Sequence, residues 1–269
     1  MATVLVCMMT SSQAGRETVN FNEDWRFARF GAMPTGGNRA EPQGLKAPSF
    51  DDSSWRTLNL PHDWGIEGPF RKDLENRTGK LPWAGIGWYR KSFQSPASDS
   101  GKCVFLDFDG SMSGTTVWLN GEYIGEWPYG YSSFRLDLTK HLKVGGGNTM
   151  AVRLDNKPES SRWYPGGGIY RNVRMVKMEP THVGHWGVFV TTPEISKNSA
   201  SVQVKTEVQA PSKLHRVRHE IRVSGGNTIV ANGNGAVCTM QVDSPKLWDL
   251  KAPNLYTLKT IVELEGKVV

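Results

Sequence analysis

Residues 161–173, SRWYPGGGIYRNV, decide the fold together with the strand-like segment 150–156, MAVRLDN, that precedes them. Three consecutive glycines, at positions 166–168, follow an arginine, two aromatic residues and a proline. Glycine lets the backbone turn with a positive φ, or approach another group more closely than a side chain would permit. The stretch therefore predicts a tight loop beside a strand, with Arg162, Trp163 and Tyr164 presented on it.

The residue types on this loop suit a polyhydroxylated ligand. Arg162 offers a planar fork of donors to hydroxyl groups, and aromatic faces such as those of Trp163 and Tyr164 cover the apolar C–H patches of a sugar ring. An alternative is that Trp163 and Tyr164 close the end of a β-sandwich with Arg162 stacked on them, a contact worth up to about 2 kcal/mol. The residues by themselves leave both interpretations open.

Short strands separated by turns run through the whole sequence, and no long amphipathic helix is indicated. At 269 residues the chain is long enough for two domains. Residues 17–180 carry eight or more aromatic and β-branched strands, with a hairpin signal at Asn120-Gly121, which predicts an all-β jelly roll. Residues 181–269 carry strands every 8–12 residues with fewer glycines and aromatics, which predicts an immunoglobulin-like β-sandwich that we expect to be incomplete at its carboxyl end.

Composition excludes several classes of partner. The net charge of +6 is spread along the chain without a basic helix or recognition motif, so no nucleic-acid partner is expected. No apolar run approaches the roughly 18 residues that a membrane span needs, so no membrane partner is expected either. The three cysteines are an odd number without ligand spacing and the histidines are dispersed, so we predict no disulfide framework, metal or cofactor.

The amino terminus, residues 1–16, contains a short apolar stretch at 4–9 followed by small polar residues. It resembles the end of a secretory signal but lacks a basic start. We expect a signal remnant or a disordered tail here, and a periplasmic or extracellular location, with a cytoplasmic location as the alternative.

Three aspartates in loops or strands could act directly or only hold structure. Asp63 follows His62 after a proline, and the pair predicts a hydrogen-bonded loop clasp or, alternatively, a direct contact with ligand. Asp107 and Asp109 share one strand face, which suits either a structural calcium ion or the capping of the turn at Gly110. Two carboxylates are few for a calcium site, so capping is favoured.

Six motifs together resemble the amino-terminal part of glycoside hydrolase family 2, the family of β-galactosidases, β-glucuronidases and β-mannosidases. They occur in the family's order from about residue 18: FDDSSWRTLNLPHDW (50–64), GWYRKSF (87–93), VWLNGEYIG (117–125), NTMAVRLDN (148–156), SRWYPGGGIYR (161–171) and LWDLKAPNLYTL (247–258). The resemblance implies a jelly-roll sugar-binding domain, an immunoglobulin-like domain, and then a TIM barrel that carries two catalytic glutamates. The barrel motifs do not occur in these residues.

The resemblance also implies a function. The chain is expected to form the non-catalytic domains of a retaining exo-β-glycosidase, with β-galactosidase favoured, and to be inactive without the barrel, because retaining hydrolysis needs two carboxyl groups about 5–5.5 Å apart. Its partners would then be a β-linked oligosaccharide or glycoside, the barrel domain, and a second copy in a homo-oligomer. Two alternatives are a free-standing carbohydrate-binding module and a purely structural pair of β-sandwiches.

By similarity, loop 161–168 closes the sugar pocket at the barrel mouth. Arg162 is carried over as a donor to sugar hydroxyls, beside the aromatics Trp163 and Tyr164, with Asp155 and Asn156 as supports. Asp63 and Trp83 are weaker candidates from neighbouring loops. Asp155 has an alternative role, an orienting salt bridge to Arg162 or Arg171.

Overall fold

Strands account for most of the regular structure, as the alternating pattern predicts. The computed structural model describes residues 10–13, 15–211 and 213–269, and the apolar stretch 4–9 of the expected signal remnant lies outside them. The chain divides into two units. The first consists of Glu17–Lys177 with residues 10 and 11, and the second of Met178–Val269 with residues 12, 13, 15 and 16.

The first unit is a jelly-roll β-sandwich. One sheet has the strand order β1-β2-β12-β7-β10, and the other has the order β4-β3-β6-β11-β8-β9 with β5 added beside β3. The strands are β1 (Thr10–Gln13), β2 (Arg16–Asn20), β3 (Trp25–Ala32), β4 (Asn38–Arg39), β5 (Arg56–Leu58), β6 (Gly85–Gln94), β7 (Cys103–Phe108), β8 (Thr115–Leu119), β9 (Glu122–Trp127), β10 (Phe134–Asp137), β11 (Gly147–Asn156) and β12 (Val173–Met178). Short 3₁₀ turns occur at Asn76–Thr78 and Ala97–Asp99.

The core of this unit comes from alternate residues of facing strands, because side chains along a strand point to opposite faces. Val104, Leu106 and Phe108 of β7 belong to one buried cluster with Met150, Val152 and Leu154 of β11. β11 pairs antiparallel with β6 over its whole length, from Gly147 opposite Gln94 to Asn156 opposite Gly85. The end of β11 therefore delivers Asp155 and Asn156 directly to the loop region that precedes residues 161–168.

A second buried cluster forms from side chains of the larger sheet and of the long connection that follows β3. Its members are Ala28, Phe30, Leu45, Trp55, Trp88 and Ala151. Arg90, which is fully buried, holds this connection in place through an ion pair with Asp52, whose Oδ2 lies 2.7 Å from its Nε, and through donation to the carbonyl of Leu45. Leu45 of this connection is thus held against the larger sheet.

The second unit is the immunoglobulin-like sandwich. Three strands pair in the order β13-β14-β17 and four in the order β16-β15-β18-β19. Their bounds are β13 (His182–Ile195), β14 (Ser199–Gln209), β15 (His215–Val223), β16 (Ile229–Asn234), β17 (Val237–Asp243), β18 (Tyr256–Leu264) and β19 (Lys267–Val268). Val204, Ile221, Met240 and Val242 form its buried centre. The all-β prediction of two successive sandwiches is confirmed.

No helix among the described residues is long and apolar enough to cross a membrane. Cys103 and Cys238 are half-buried rather than fully buried, although they lie in strands as predicted.

Candidate functional site

The triple glycine at 166–168 packs tightly against the preceding loops of the first unit. The backbone N–H of Trp64 donates to the carbonyl of Gly167 at 2.8 Å, and Gly168 exchanges two backbone hydrogen bonds with Met112. A Cβ at position 167 would lie 2.5 Å from Nε1 of the Trp64 indole, and Gly168 has a φ of +124°. The glycines therefore serve the close backbone approach and the positive φ that the sequence predicts.

Asp63 clasps the loop from one side. Its carboxylate accepts the N–H of Gly167 at 2.9 Å, the N–H of Gly65 at 2.8 Å and the hydroxyl of Tyr164 at 3.0 Å to both oxygens. Burial and the charge of Asp63 raise the pKa of the Tyr164 hydroxyl, which stays protonated as the donor. These contacts are the hydrogen-bonded clasp expected for this loop. They join Asp63 to Tyr164, which is 101 residues later in the sequence.

Asn156 supports the loop from the other side. Only 1% of it is exposed. Its Nδ2 donates to the carbonyls of Gly166 at 2.7 Å and of Trp83 at 3.4 Å. Trp83 is itself buried, and its carbonyl also accepts the indole N–H of Trp64 at 2.7 Å, so its place in the site is a backbone contact. Asn156 and Asp63 together fix residues 164–167 against the body of the sandwich.

Asp155 does not form the salt bridge to Arg162 or Arg171 that we considered. Its Oδ2 lies 3.4 Å from Nη1 of Arg153, and Arg153 in turn makes a two-pronged contact with Glu41 at 2.8 and 2.9 Å. Residues two apart on a strand share a face, so Arg153 is the nearer partner of Asp155. The contact with Glu41 orients Arg153, and Asp155 makes a longer, additional contact with the same guanidinium.

Arg162 and Trp163 remain on the surface. Trp163 is 58% exposed, and its indole N–H donates to the hydroxyl of Tyr131 at 2.7 Å. Arg162 is exposed, and its guanidinium has no hydrogen bond, ion pair or aromatic contact within the described parts of the chain. The alternative in which Trp163 closes the sandwich with Arg162 stacked upon it is therefore wrong. Of the two aromatic residues on the loop, Tyr164 packs inward: it is half-buried, and its hydroxyl contacts Asp63.

The structure adds aromatic residues that the sequence analysis did not select. Tyr129 and Tyr131 are exposed and lie edge to face with ring centroids 5.7 Å apart. The hydroxyl of Tyr170 donates to the carbonyl of Gly130 at 2.9 Å, which ties their turn to the glycine loop. The signal for them was the run PYGY at 128–131, which has turn residues between aromatics. Trp163, Tyr131 and Tyr129 thus form a contiguous group of exposed aromatic side chains, of which Trp163 is next to Arg162 in the sequence.

His62 belongs to a separate network on the same loop. Its Nδ1 lies 2.7 Å from the hydroxyl of Tyr89, and its Nε2 lies 3.0 Å from Glu67. Burial lowers the pKa of His62, against the opposing effect of Glu67, so the ring is neutral at neutral pH. Nε2 also lies 2.8 Å from Nη2 of Arg56, so this ring nitrogen contacts both members of the Arg56–Glu67 ion pair.

Asp107 and Asp109 are each engaged with an arginine. Asp107 makes a bidentate pair with Arg135 at 2.6 and 2.7 Å, and Asp109 lies 2.7 Å from Arg174. The preference for turn capping is therefore wrong: on the sheet surface, cross-strand arginines reach these carboxylates. Among the described residues, no group of three or more His, Cys, Asp or Glu side chains could hold a metal ion.

The fold and the loop surface define the class of this protein: two successive β-sandwiches, of which the first presents arginine and aromatic groups suited to a sugar. Comparison with family models agrees. Residues 58–165 match the model of the glycosyl hydrolase 2 galactose-binding domain-like region, and residues 179–269 match that of glycosyl hydrolases family 2. The chain belongs to glycosyl hydrolase family 2.

Individual relatives cover nearly the whole chain. It is 40% identical over 274 residues to the beta-galactosidase BoGH2A of Bacteroides ovatus, a match that covers 95% of this chain and 31% of that protein. A beta-glucuronidase of Formosa agariphila is 30% identical over 97% of this chain and 29% of its own length. A solved family 2 member from Bacteroides cellulosilyticus superimposes with a TM-score of 0.83 at 32% identity, over 94% of this chain and 34% of the other. The chain thus spans about a third of the length of these relatives.

Proposed function

We propose that this chain supplies the non-catalytic β-sandwich domains of a retaining exo-β-glycosidase, with a β-galactoside as the preferred substrate. The loop at 161–168 would close one side of a sugar pocket whose catalytic carboxylates lie on a TIM barrel outside these residues. The reason for preferring galactosides is that the 40% identity to the Bacteroides ovatus beta-galactosidase exceeds the 37% and 30% identities to a putative beta-glucuronidase and a beta-glucuronidase of Formosa agariphila.

One observation carries the role of the loop. Its base is fixed by Asp63 and Asn156, while Arg162 and Trp163 are left exposed at its tip. A rigid base reduces the cost of ordering the tip when a ligand binds, and an unpaired guanidinium has its donors available for hydroxyl groups. Such contacts raise the catalytic efficiency by positioning substrate, and they take no part in bond breaking.

The test is hydrolysis of aryl β-galactoside, β-glucuronide and β-mannoside by an enzyme that carries these domains and the barrel, with the 269-residue chain assayed beside it. We expect turnover of the galactoside by the longer enzyme and none by the chain. In the longer enzyme, Arg162→Ala should lower kcat/KM about tenfold or more, as expected for loss of one charge-assisted hydrogen bond. The control Arg216→Ala removes an exposed arginine of the second unit and should leave kcat/KM unchanged.

Turnover by the chain itself would refute the assignment of chemistry to a barrel. An Arg162→Ala enzyme with unchanged kcat/KM would leave the loop a structural role only. Faster turnover of the glucuronide than of the galactoside would overturn the preferred substrate.

A second candidate function is a carbohydrate-binding module that acts without a barrel. The exposed aromatic surface of Trp163, Tyr131 and Tyr129 favours it, because such faces stack on sugars in the absence of any catalytic group. Titration of the chain with galactose and with β-linked galacto-oligosaccharides separates the two, since a free-standing module binds without a barrel.

A further inference from the structure

A cavity of about 320 Å³ lies beside strand β3 of the first unit; none of residues 161–168 lines it, although Trp64, which contacts Gly167, does. Phe27, Ala28 and Arg29 of the strand form one wall, and parts of segments 33–39, 54–56 and 64–68 form the others. Its volume is at the lower end of the roughly 300–1,000 Å³ typical of small-molecule sites, which is room for one small ligand.

Positive charge dominates the lining of this cavity. Three arginines line it, namely Arg29, Arg39 and Arg56, against a single carboxylate, Glu67. Glu67 is already engaged, because its Oε1 lies 2.7 Å from Nη2 of Arg56. Within the described chain, neither Arg29 nor Arg39 has a carboxylate inside salt-bridge distance. Two positive charges on this lining are therefore not neutralised by the protein.

Arg29 carries the strongest demand for an anion. It is only 8% exposed, and its Nη2 donates to the carbonyls of Pro82 and Ala84 at 2.5 and 2.6 Å. Its Nε is buried without a hydrogen-bond acceptor among the described residues. Burial lowers the pKa of Arg29 to about 10, against an opposing effect of Glu67, so the group is still a cation at neutral pH. A buried cation without a counter-charge is costly, and an oxyanion beside it would lower that cost.

Aromatic rings hold all three guanidinium groups in place. Cζ of Arg39 lies 4.6 Å from the ring centroid of Phe30, Cζ of Arg56 lies 5.5 Å from that of Phe27, and Cζ of Arg29 lies 5.8 Å from that of Trp64. Stacked guanidinium groups are pre-oriented, so less side-chain entropy is lost when they bind. Planar forks of this kind are suited to carboxylate and sulfate oxygens.

We propose that this cavity binds a small oxyanion, a carboxylate or a sulfate, and that the oxyanion is a substituent of an acidic saccharide. The oxyanion part of this proposal stands on the arginines alone. The saccharide part rests on the proposed function. A site for an acidic group that does not include residues 161–168 would bind a charged sugar substituent in addition to the contacts proposed for the loop.

The experiment is isothermal titration calorimetry of the 269-residue chain at constant ionic strength. The ligands are sodium sulfate, sodium glucuronate, galactose 6-sulfate and neutral galactose. We expect saturable binding of glucuronate or galactose 6-sulfate that Arg39→Ala weakens about tenfold, the effect of losing one charge-assisted hydrogen bond. Arg39 is exposed, so its replacement should not prevent folding, and a thermal melt checks this. Arg39→Lys keeps the charge and should retain part of the affinity.

The matched control is Arg77→Ala. Arg77 is an exposed arginine of the same unit, paired with Glu75 and outside the cavity lining, and its loss should leave binding unchanged. The site is refuted if no anion binds. It is also refuted if Arg77→Ala weakens binding as much as Arg39→Ala, because the anions would then be attracted by the general positive charge of the surface. If sulfate binds and the two acidic sugars do not, the saccharide assignment is overturned. These titrations measure no hydrolysis, so they are independent of the activity test of the proposed function.

Discussion

Removal of the Asp63 carboxylate is the sharpest test of how the glycine loop is held. In Asp63→Ala, the hydroxyl of Tyr164 and the N–H groups of Gly65 and Gly167 lose their common acceptor. Hydrogen bonds to a charged group contribute about 1.5–3 kcal/mol each, but neighbouring bonds are not additive and water reaches part of this site, so we expect a loss of about 3 kcal/mol.

Urea unfolding followed by tryptophan fluorescence measures this loss, with Trp64 directly beside the loop. For an m value of about 2 kcal/mol per M, the midpoint of the first unit should fall by about 1.5 M. Tyr164→Phe removes one of the three donors and should cost about 1 kcal/mol. The double variant should lose about 1 kcal/mol less than the sum of the two single losses, because both changes break the same hydrogen bond between Tyr164 and Asp63.

The control is Asp73→Ala, which removes an exposed aspartate paired with Arg71 in a loop of the same unit. Exposed ion pairs contribute little to stability, so its midpoint should remain close to that of the unchanged chain. The reasoning is refuted if Asp63→Ala and Asp73→Ala unfold at the same urea concentration, or if the effects of Asp63→Ala and Tyr164→Phe simply add.

Two further predictions concern the same region. Gly167→Ala should destabilise the first unit by about 3 kcal/mol or more in urea unfolding, because its Cβ would overlap the buried indole of Trp64. Gly146→Ala should have little effect, because its Cβ would lie 3.8 Å from the carbonyl oxygen of Lys143, and equal losses for the two variants would contradict the prediction. Burial lowers the pKa of His62 in the folded state, so the unfolded chain binds the proton more readily, and stability should fall as the pH is lowered through about 6.5. Unfolding free energies measured between about pH 5.5 and 7 should show a shallower slope for His62→Gln, and an unchanged slope would contradict this.

Local patterns were enough to predict the class of fold. Alternation in segments such as 102–108 and 148–156 identifies strands because the period of two is a property of the strand itself. The three glycines at 166–168 indicated a close backbone contact for a similarly local reason, since no other residue permits it. The order of the motifs along the chain then indicated the family, and the family models confirm it.

The candidate site depended on contacts that no local pattern specifies. Asp63 and Tyr164 are 101 residues apart, and Tyr131 meets Trp163 across 32 residues, so their pairing requires loops from different strands to reach the same end of the sandwich. The partner considered for Asp155 was wrong for a different reason: Arg153, two residues earlier on the same strand, shares its face, whereas Arg162 is exposed on the loop.

The sequence by itself thus determined which segments form strands, where the backbone must be glycine, and which residue types stand on the loop. Only the tertiary structure decided that Asp63 and Asn156 hold the loop, that Arg162 is left without a partner in the described chain, and that three arginines line one cavity. The physical reason is that strand periodicity and backbone conformation depend on neighbouring residues, whereas hydrogen bonds and charge balance depend on which distant side chains packing brings together.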